Sequence, residues 1–111
     1  MTPPARRDLL PGTLDMLILR TLTVQPMHGY GIAQHIERLS REVIQVEEGS
    51  LYPALQRMRQ KGWIKAEWGT TPNNQRARYY TITANGRRQL GDQEAAFADL
   101  VAAIGRVMRP A

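Results

Sequence analysis

Between Gly49 and Trp68 the hydrophobic period changes from helical to extended across one glycine. Leu51, Leu55 and Met58 recur at i, i+4 and i+7, so they share one side of a helix. Ser50, Tyr52, Pro53, Gln56, Arg57 and Gln60 are left for its exposed side. The Ser50 hydroxyl is placed to cap the helix start. Pro53 is expected in the first turn, where a missing N–H has no partner to lose. Gly62 stops the helix, and residues 63–68 alternate as a strand. A capped helix running into a basic hairpin predicts a mainly α fold with a small β-hairpin. That layout is a winged helix-turn-helix, whose second helix suits a DNA major groove.

The rest of the chain falls into place around this junction. Residues 1–10 read as a flexible arm ending at a Pro11-Gly12 turn. Thr13 is expected to cap a helix with Asp15 in its first turn, where a carboxylate suits the helix dipole. Leu14, Leu17, Ile18 and Leu22 mark its buried face, and Pro26 its end. After a break at residues 27–31, Ile32, Ile36 and Leu39 predict a second amphipathic helix from about Tyr30 to Leu39. Residues 43–46 are expected to add a short extended segment to the wing sheet, and residues 47–49 to turn into the recognition helix. The hairpin strands are expected near 63–68 and 77–82, with an eight-residue polar loop, 69–76, as the wing tip.

Thr83 is expected to cap the last helix. In it Leu90, Phe97 and Ile104 lie seven apart, with Leu100, Val101, Val107 and Met108 at the alternate positions. Gln93 and Glu94 interrupt the first repeat, which makes this a partial heptad seam suited to dimerisation. The expected organisation is therefore an arm at 1–10, a winged helix-turn-helix at 11–83 and a C-terminal dimerisation helix at 84–111. A chain of 111 residues with 42% apolar content builds one small core, and an oligomer would bury more.

Charge is distributed unevenly. Residues 49–90 carry Arg57, Arg59, Lys61, Lys65, Arg76, Arg78, Arg87 and Arg88 against Glu67 alone, a net +7. The remainder carries seven bases and nine acids, a net −2. Such clustering is the footprint of a polyanionic partner, although a merely solvated basic face has the same composition. Arg57 can pair with the two acceptors of a guanine and Gln56 with an adenine. Asn73, Asn74, Gln75, Arg76 and Arg78 offer the wing donors for phosphate oxygens or a minor-groove floor. Lys61 and Lys65 add phosphate attraction. The Tyr30 hydroxyl can reach a phosphate at the start of its helix, the alternative being a buried ring that anchors the turn.

Other chemistries find little support. Cys is absent, which excludes disulfides, thiolate zinc sites and a cysteine nucleophile. His28 and His35 have no carboxylate set around them, Ser40 and Ser50 lack a base, and no phosphate-cradling loop occurs. No enzyme activity, metal or cofactor is expected. Trp63, Trp68, Tyr79 and Tyr80 read mostly as sheet core. Were they exposed, they would form a stacking platform for single-stranded nucleic acid. No run approaches the 18 to 20 or so apolar residues needed to span a bilayer, and the N-terminus lacks a signal peptide's apolar run. A soluble cytoplasmic protein without membrane contact is expected.

Six blocks carry a resemblance: Leu10-Pro11-Gly12-Thr13-Leu14-Asp15, His28-Gly29-Tyr30-Gly31-Ile32, Glu48-Gly49-Ser50-Leu51-Tyr52-Pro53-Ala54-Leu55, Lys61-Gly62-Trp63-Ile64, Arg76-Ala77-Arg78-Tyr79-Tyr80 and Thr83-Ala84-Asn85-Gly86. In this order they resemble the PadR family of bacterial transcriptional regulators over about residues 9–90. The resemblance implies a winged helix-turn-helix, a homodimer formed through the C-terminal helix, and repression of nearby genes. It puts Tyr30, Ser50, Tyr52 and Pro53 on the DNA-facing part of the helix-turn-helix, and Arg76 and Arg78 on the wing. The chain resembles the short-tailed members. Some of those bind drugs in an aromatic pore between subunits, often with a tryptophan on the last helix. This chain has Phe97 there and no tryptophan after Trp68, a departure from that pattern.

The combined expectation is a homodimeric repressor that reads an inverted repeat in double-stranded DNA. The expected contacts are Tyr30, Ser50, Tyr52, Pro53, Gln56, Arg57, Lys61, Lys65, Asn74, Arg76 and Arg78. The alternatives are a regulator with a small-molecule effector at the dimer interface, or a single-stranded nucleic-acid module.

Overall fold

The computed structural model describes residues 12–110; the expected arm at 1–10, Pro11 and Ala111 lie outside them. Seven elements follow in order: α1 (Thr13–Leu22), β1 (Met27–His28), α2 (Gly29–Leu39), α3 (Glu48–Gln60), β2 (Ile64–Thr70), β3 (Arg76–Ile82) and α4 (Ala84–Met108). The strands form an antiparallel sheet in the order β1-β3-β2. Ile64 pairs with Ile82 at its root and Thr70 with Arg76 at its tip.

The core sits where α1, α2 and α3 meet the root of the sheet. Ile18, Leu19, Ile32, Leu51, Leu55, Met58 and Ile64 are fully buried there. The apolar face read for α3 is therefore the face it buries. Its end follows from Gly62 (φ 77°), whose amide donates to the Arg59 carbonyl at 3.0 Å while the Trp63 amide donates to that of Met58 at 3.0 Å. This paired closure satisfies two carbonyls that the helix would otherwise leave open. Thr83 caps α4 as expected, accepting from the Gly86 amide at 3.0 Å. Its hydroxyl also donates to the Gly62 carbonyl at 2.6 Å, and its amide to the Trp63 carbonyl at 3.0 Å. The root of α4 is thus pinned to the junction between α3 and β2.

Several local expectations are corrected. Thr13 is the first residue of α1, entered through Gly12 (φ 86°), and the helix ends at Leu22, ahead of Pro26. Ser50 is not the cap of α3. Its amide and that of Leu51 both donate to the Glu47 carbonyl, at 3.0 and 2.9 Å, so the helix begins at Glu48 and Pro53 falls in the second turn. The carbonyl of Gly49 loses its helical donor there, at an exposed residue where water can serve.

Residues 43–46 do not join the sheet. The Ile44 amide donates to Ser40 Oγ at 3.0 Å and that of Val46 to the Glu37 carboxylate at 2.9 Å, which consumes the groups a ladder would need. The third strand is β1, with Met27 opposite Tyr80 and His28 opposite Tyr79. The wing strands also run further than expected, through Thr70 and from Arg76, which shortens the loop to residues 71–75. Leu39, assigned to the buried face of α2, is 68% exposed.

Helix α4 changes character along its length. Leu90 is 5% exposed and belongs to the hydrophobic core, not to the exposed seam in which the heptad spacing places it. An ion pair between Arg20 and Glu94 fastens the next turn to α1. Beyond it Phe97, Leu100, Val101, Ile104, Val107 and Met108 are exposed along one stripe. No helix among the described residues is long and apolar enough to cross a membrane.

Candidate nucleic-acid interface

Helix α3 and the wing frame a concave groove of about 790 Å³, with α2 closing one side. Tyr52, Gln56 and Arg59 reach it from α3. They stand at i, i+4 and i+7, one stripe beside the buried one. Tyr30 and Gln34 enter from α2, one turn apart, and the Gln34 amide donates to the Tyr30 hydroxyl at 3.0 Å. Tyr30 is 65% exposed, which removes the buried-anchor alternative for its ring. From the wing come Trp68, Arg76 and Arg78.

Local sequence explains why these side chains converge. His28 Nδ1 accepts from the Gly31 amide at 3.0 Å and starts α2 directly after β1, which places Tyr30 at the rim. Gly29 is the contact between α2 and α3. A Cβ there would stand 2.9 Å from Tyr52 Cε1, so only a glycine lets the Tyr52 ring lie against the start of α2. In the sheet, alternation decides the rest. Trp68 lies opposite Arg78, with Arg76 two residues further toward the tip, so all three share a face. Tyr80, on the same face nearer the root, is buried.

The expected contact residues separate into groups. Tyr30, Tyr52, Gln56, Arg76 and Arg78 line the groove together. Ser50 and Pro53 are exposed on α3 but do not line it. Asn74 occupies the wing turn with φ 63°, its amide donating to the Thr71 carbonyl at 2.8 Å, while its neighbours Asn73 and Gln75 reach the groove. Arg57 was expected at a guanine edge. Its Nη2 instead donates to Asp15 Oδ1 at 2.6 Å, against a carboxylate side chain only 9% exposed. A buried carboxylate demands a partner, and Arg57 is the one that α3 supplies.

Lys61 and Lys65 also stand apart from the groove. The Lys61 ammonium lies over the Trp63 ring, 4.7 Å from its centroid. Lys65 is opposite Thr81, on the sheet face away from Arg76 and Arg78.

Three groove residues escaped the sequence reading. Arg59 carries a usable signal beyond its bulk charge, its helical spacing from Tyr52 and Gln56. Gln34 had the same one-turn relation to Tyr30. Trp68 was assigned to the core and is 59% exposed, with the Arg76 and Arg78 guanidinium carbons 4.6 and 5.6 Å from its ring centroid. Its face is covered by cations and Tyr80 is buried, so the sheet offers no row of free rings for stacking bases. Among the described residues no three His, Asp or Glu side chains are grouped to hold a metal.

The fold and this cationic groove define the class: a DNA-binding protein of the winged helix-turn-helix type. Comparison with known proteins agrees. The sequence matches the transcriptional regulator PadR-like family over residues 18–92, and the chain belongs to that family. It is 33% identical over 87 residues to an uncharacterized protein of Lysinibacillus sphaericus, covering 78% of this chain and 80% of that one. Among solved structures it resembles a transcriptional regulator of Clostridium thermocellum, with a TM-score of 0.81 and 26% identity over 88% of this chain and 95% of that one. A PadR family transcriptional regulator of Eggerthella lenta superposes with a TM-score of 0.74 and 30% identity, over 90% and 85% of the two chains. The protein is a DNA-binding transcriptional regulator.

Proposed function

We propose that the protein is a homodimeric repressor that binds an inverted-repeat operator through residues 11–83 and dimerises through residues 84–111. The observation that carries this reading is the convergence of Tyr30, Tyr52, Gln56, Arg76 and Arg78 on one groove beside α3. In the proposed complex α3 enters the major groove and presents Ser50, Tyr52, Pro53 and Gln56. Arg59, Arg76 and Arg78 meet the phosphate backbone that passes between α3 and the wing. Asn74 shapes the wing turn. Lys61 and Lys65 add long-range attraction without touching the groove, and Arg57 orients α3 through Asp15.

The exposed stripe on α4 supports the dimer. Phe97, Leu100, Val101, Ile104, Val107 and Met108 follow one another at helical spacing, and among the described residues all six stay exposed. A twofold pair of such helices buries both stripes and presents two α3 helices to successive major grooves. Occupancy of those sites at a promoter blocks transcription.

The test is a gel shift against the DNA upstream of the protein's own gene, with a salt titration and a single-stranded control. The expected result is retardation of the duplex that weakens linearly on a log–log salt plot. Preference for the single strand, or binding indifferent to salt, overturns the reading.

A further inference from the structure

We propose that Trp68 is a positioning residue for duplex DNA, whose indole holds the Arg76 and Arg78 guanidiniums facing the groove between α3 and the wing. This rests on the reading of that groove as the DNA interface. Trp68 is a large apolar side chain left 59% exposed, beyond the point where its sheet face leaves the core. Tyr80, Ile64 and Ile82 bury the root of that face. Further out, Trp68 sits directly across from Arg78, with Arg76 on the diagonal. Core packing does not account for an indole there.

The arginines supply the reason. Their guanidinium carbons lie 4.6 and 5.6 Å from the ring centroid, within cation–π range. Arg57 and Arg20, by contrast, are neutralised by Asp15 and Glu94. Among the described residues neither Arg76 nor Arg78 has a carboxylate or a side-chain hydrogen bond, and Arg78 Nε is shielded from solvent without an acceptor. Among the described residues the indole is a contact shared by both head groups, and it leaves their charge uncompensated for an incoming phosphate. Side chains ordered before binding lose less freedom on binding, which raises affinity without a new contact to DNA.

The test is fluorescence anisotropy of a fluorescein-labelled random-sequence duplex, with wild type, Trp68→Ala, Trp68→Phe, the Arg76→Ala/Arg78→Ala double variant and its triple combination with Trp68→Ala. Trp68→Ala is expected to raise Kd about five- to thirtyfold, the equivalent of two exposed cation–π contacts. Trp68→Phe should keep most of the affinity, and removing Trp68 from the arginine-free variant should change nothing further. An unchanged Kd for Trp68→Ala overturns the proposal. So does an equal loss with and without the arginines, which would mean that the ring itself touches DNA.

A second readout does not depend on DNA. In a Trp63→Phe background Trp68 is the sole tryptophan, and its emission should shift when Arg76 and Arg78 become alanine. Unchanged emission also overturns the proposal, even if Trp68→Ala proves unstable. Wild-type protein that ignores duplex overturns the interface reading itself, whereas duplex binding with an indifferent Trp68→Ala overturns only the role of the indole.

Discussion

Replacing Gly86 by alanine tests how tightly the root of α4 is set against the DNA-binding fold. A Cβ at this position would lie 2.1 Å from the Trp63 carbonyl oxygen, 2.8 Å from Ile82 Cγ1 and 3.0 Å from the Trp63 carbonyl carbon. A relaxed carbon–oxygen contact is about 3.3 Å, so the first turn of α4 must retreat by roughly 1 Å. Two hydrogen bonds resist the retreat, Thr83 N to Trp63 O at 3.0 Å and Thr83 Oγ1 to Gly62 O at 2.6 Å. Each is worth about 1 kcal/mol net, and crowding a packed site costs about 1–3 kcal/mol. Alanine returns at most about 1 kcal/mol of helix propensity.

The balance is a loss of about 2–4 kcal/mol for Gly86→Ala, or roughly 4–8 °C of Tm per kcal/mol in a domain of this size. Gly91→Ala is the control, because its Cβ meets nothing within 4 Å on the same helix. It should gain up to about 1 kcal/mol. Urea and thermal unfolding followed by circular dichroism at one fixed protein concentration read both variants. Gly86→Ala at wild-type stability would refute the close approach as the feature that seats α4.

The proposed interface and dimer yield three further outcomes. Arg76→Ala should weaken binding to every duplex alike and lower the slope of log K against log salt by about one phosphate, read from an anisotropy titration; an unaltered slope removes Arg76 from the backbone contacts. Ile104→Asp puts a charge into the exposed α4 stripe that the proposed dimer buries, and should yield monomers in sedimentation equilibrium. A variant that still sediments as a dimer moves the interface elsewhere. Arg57→Met strands the buried Asp15 carboxylate and should cost about 1–2 kcal/mol, the half-exposed position of Arg57 softening the loss. Full stability together with altered base preference in a selection assay would return Arg57 to base reading.

Patterns set by near neighbours were legible in the chain. The faces of α1, α3 and, apart from Leu39, α2 follow from residues three and four apart, and the stop at Gly62 and the start at Thr83 from backbone and hydroxyl chemistry within one turn. The same locality explains the errors. Thr13, Ser50 and residues 43–46 each carried a plausible local signal. For 43–46 the decision fell to the side chains of Glu37 and Ser40 and to a two-residue strand too short to show a period. Leu90 fits the heptad as well as Phe97 does, and only the packing of α1 against α4 separates a core leucine from an exposed one.

The sequence by itself determined the order of the four helices and the wing hairpin, the buried stripe of α3 and the concentration of cations after residue 49, because these depend on composition and on spacing along one element. Tertiary structure alone decided which cations face the groove. Arg57 turns to a carboxylate 42 positions earlier, Lys65 points to the opposite sheet face from Arg76 and Arg78, and Trp68 leaves the core to lie beneath two guanidiniums. Charge belongs to a residue, but its availability to a partner depends on which opposite charges and rings the fold brings within a few ångströms of it.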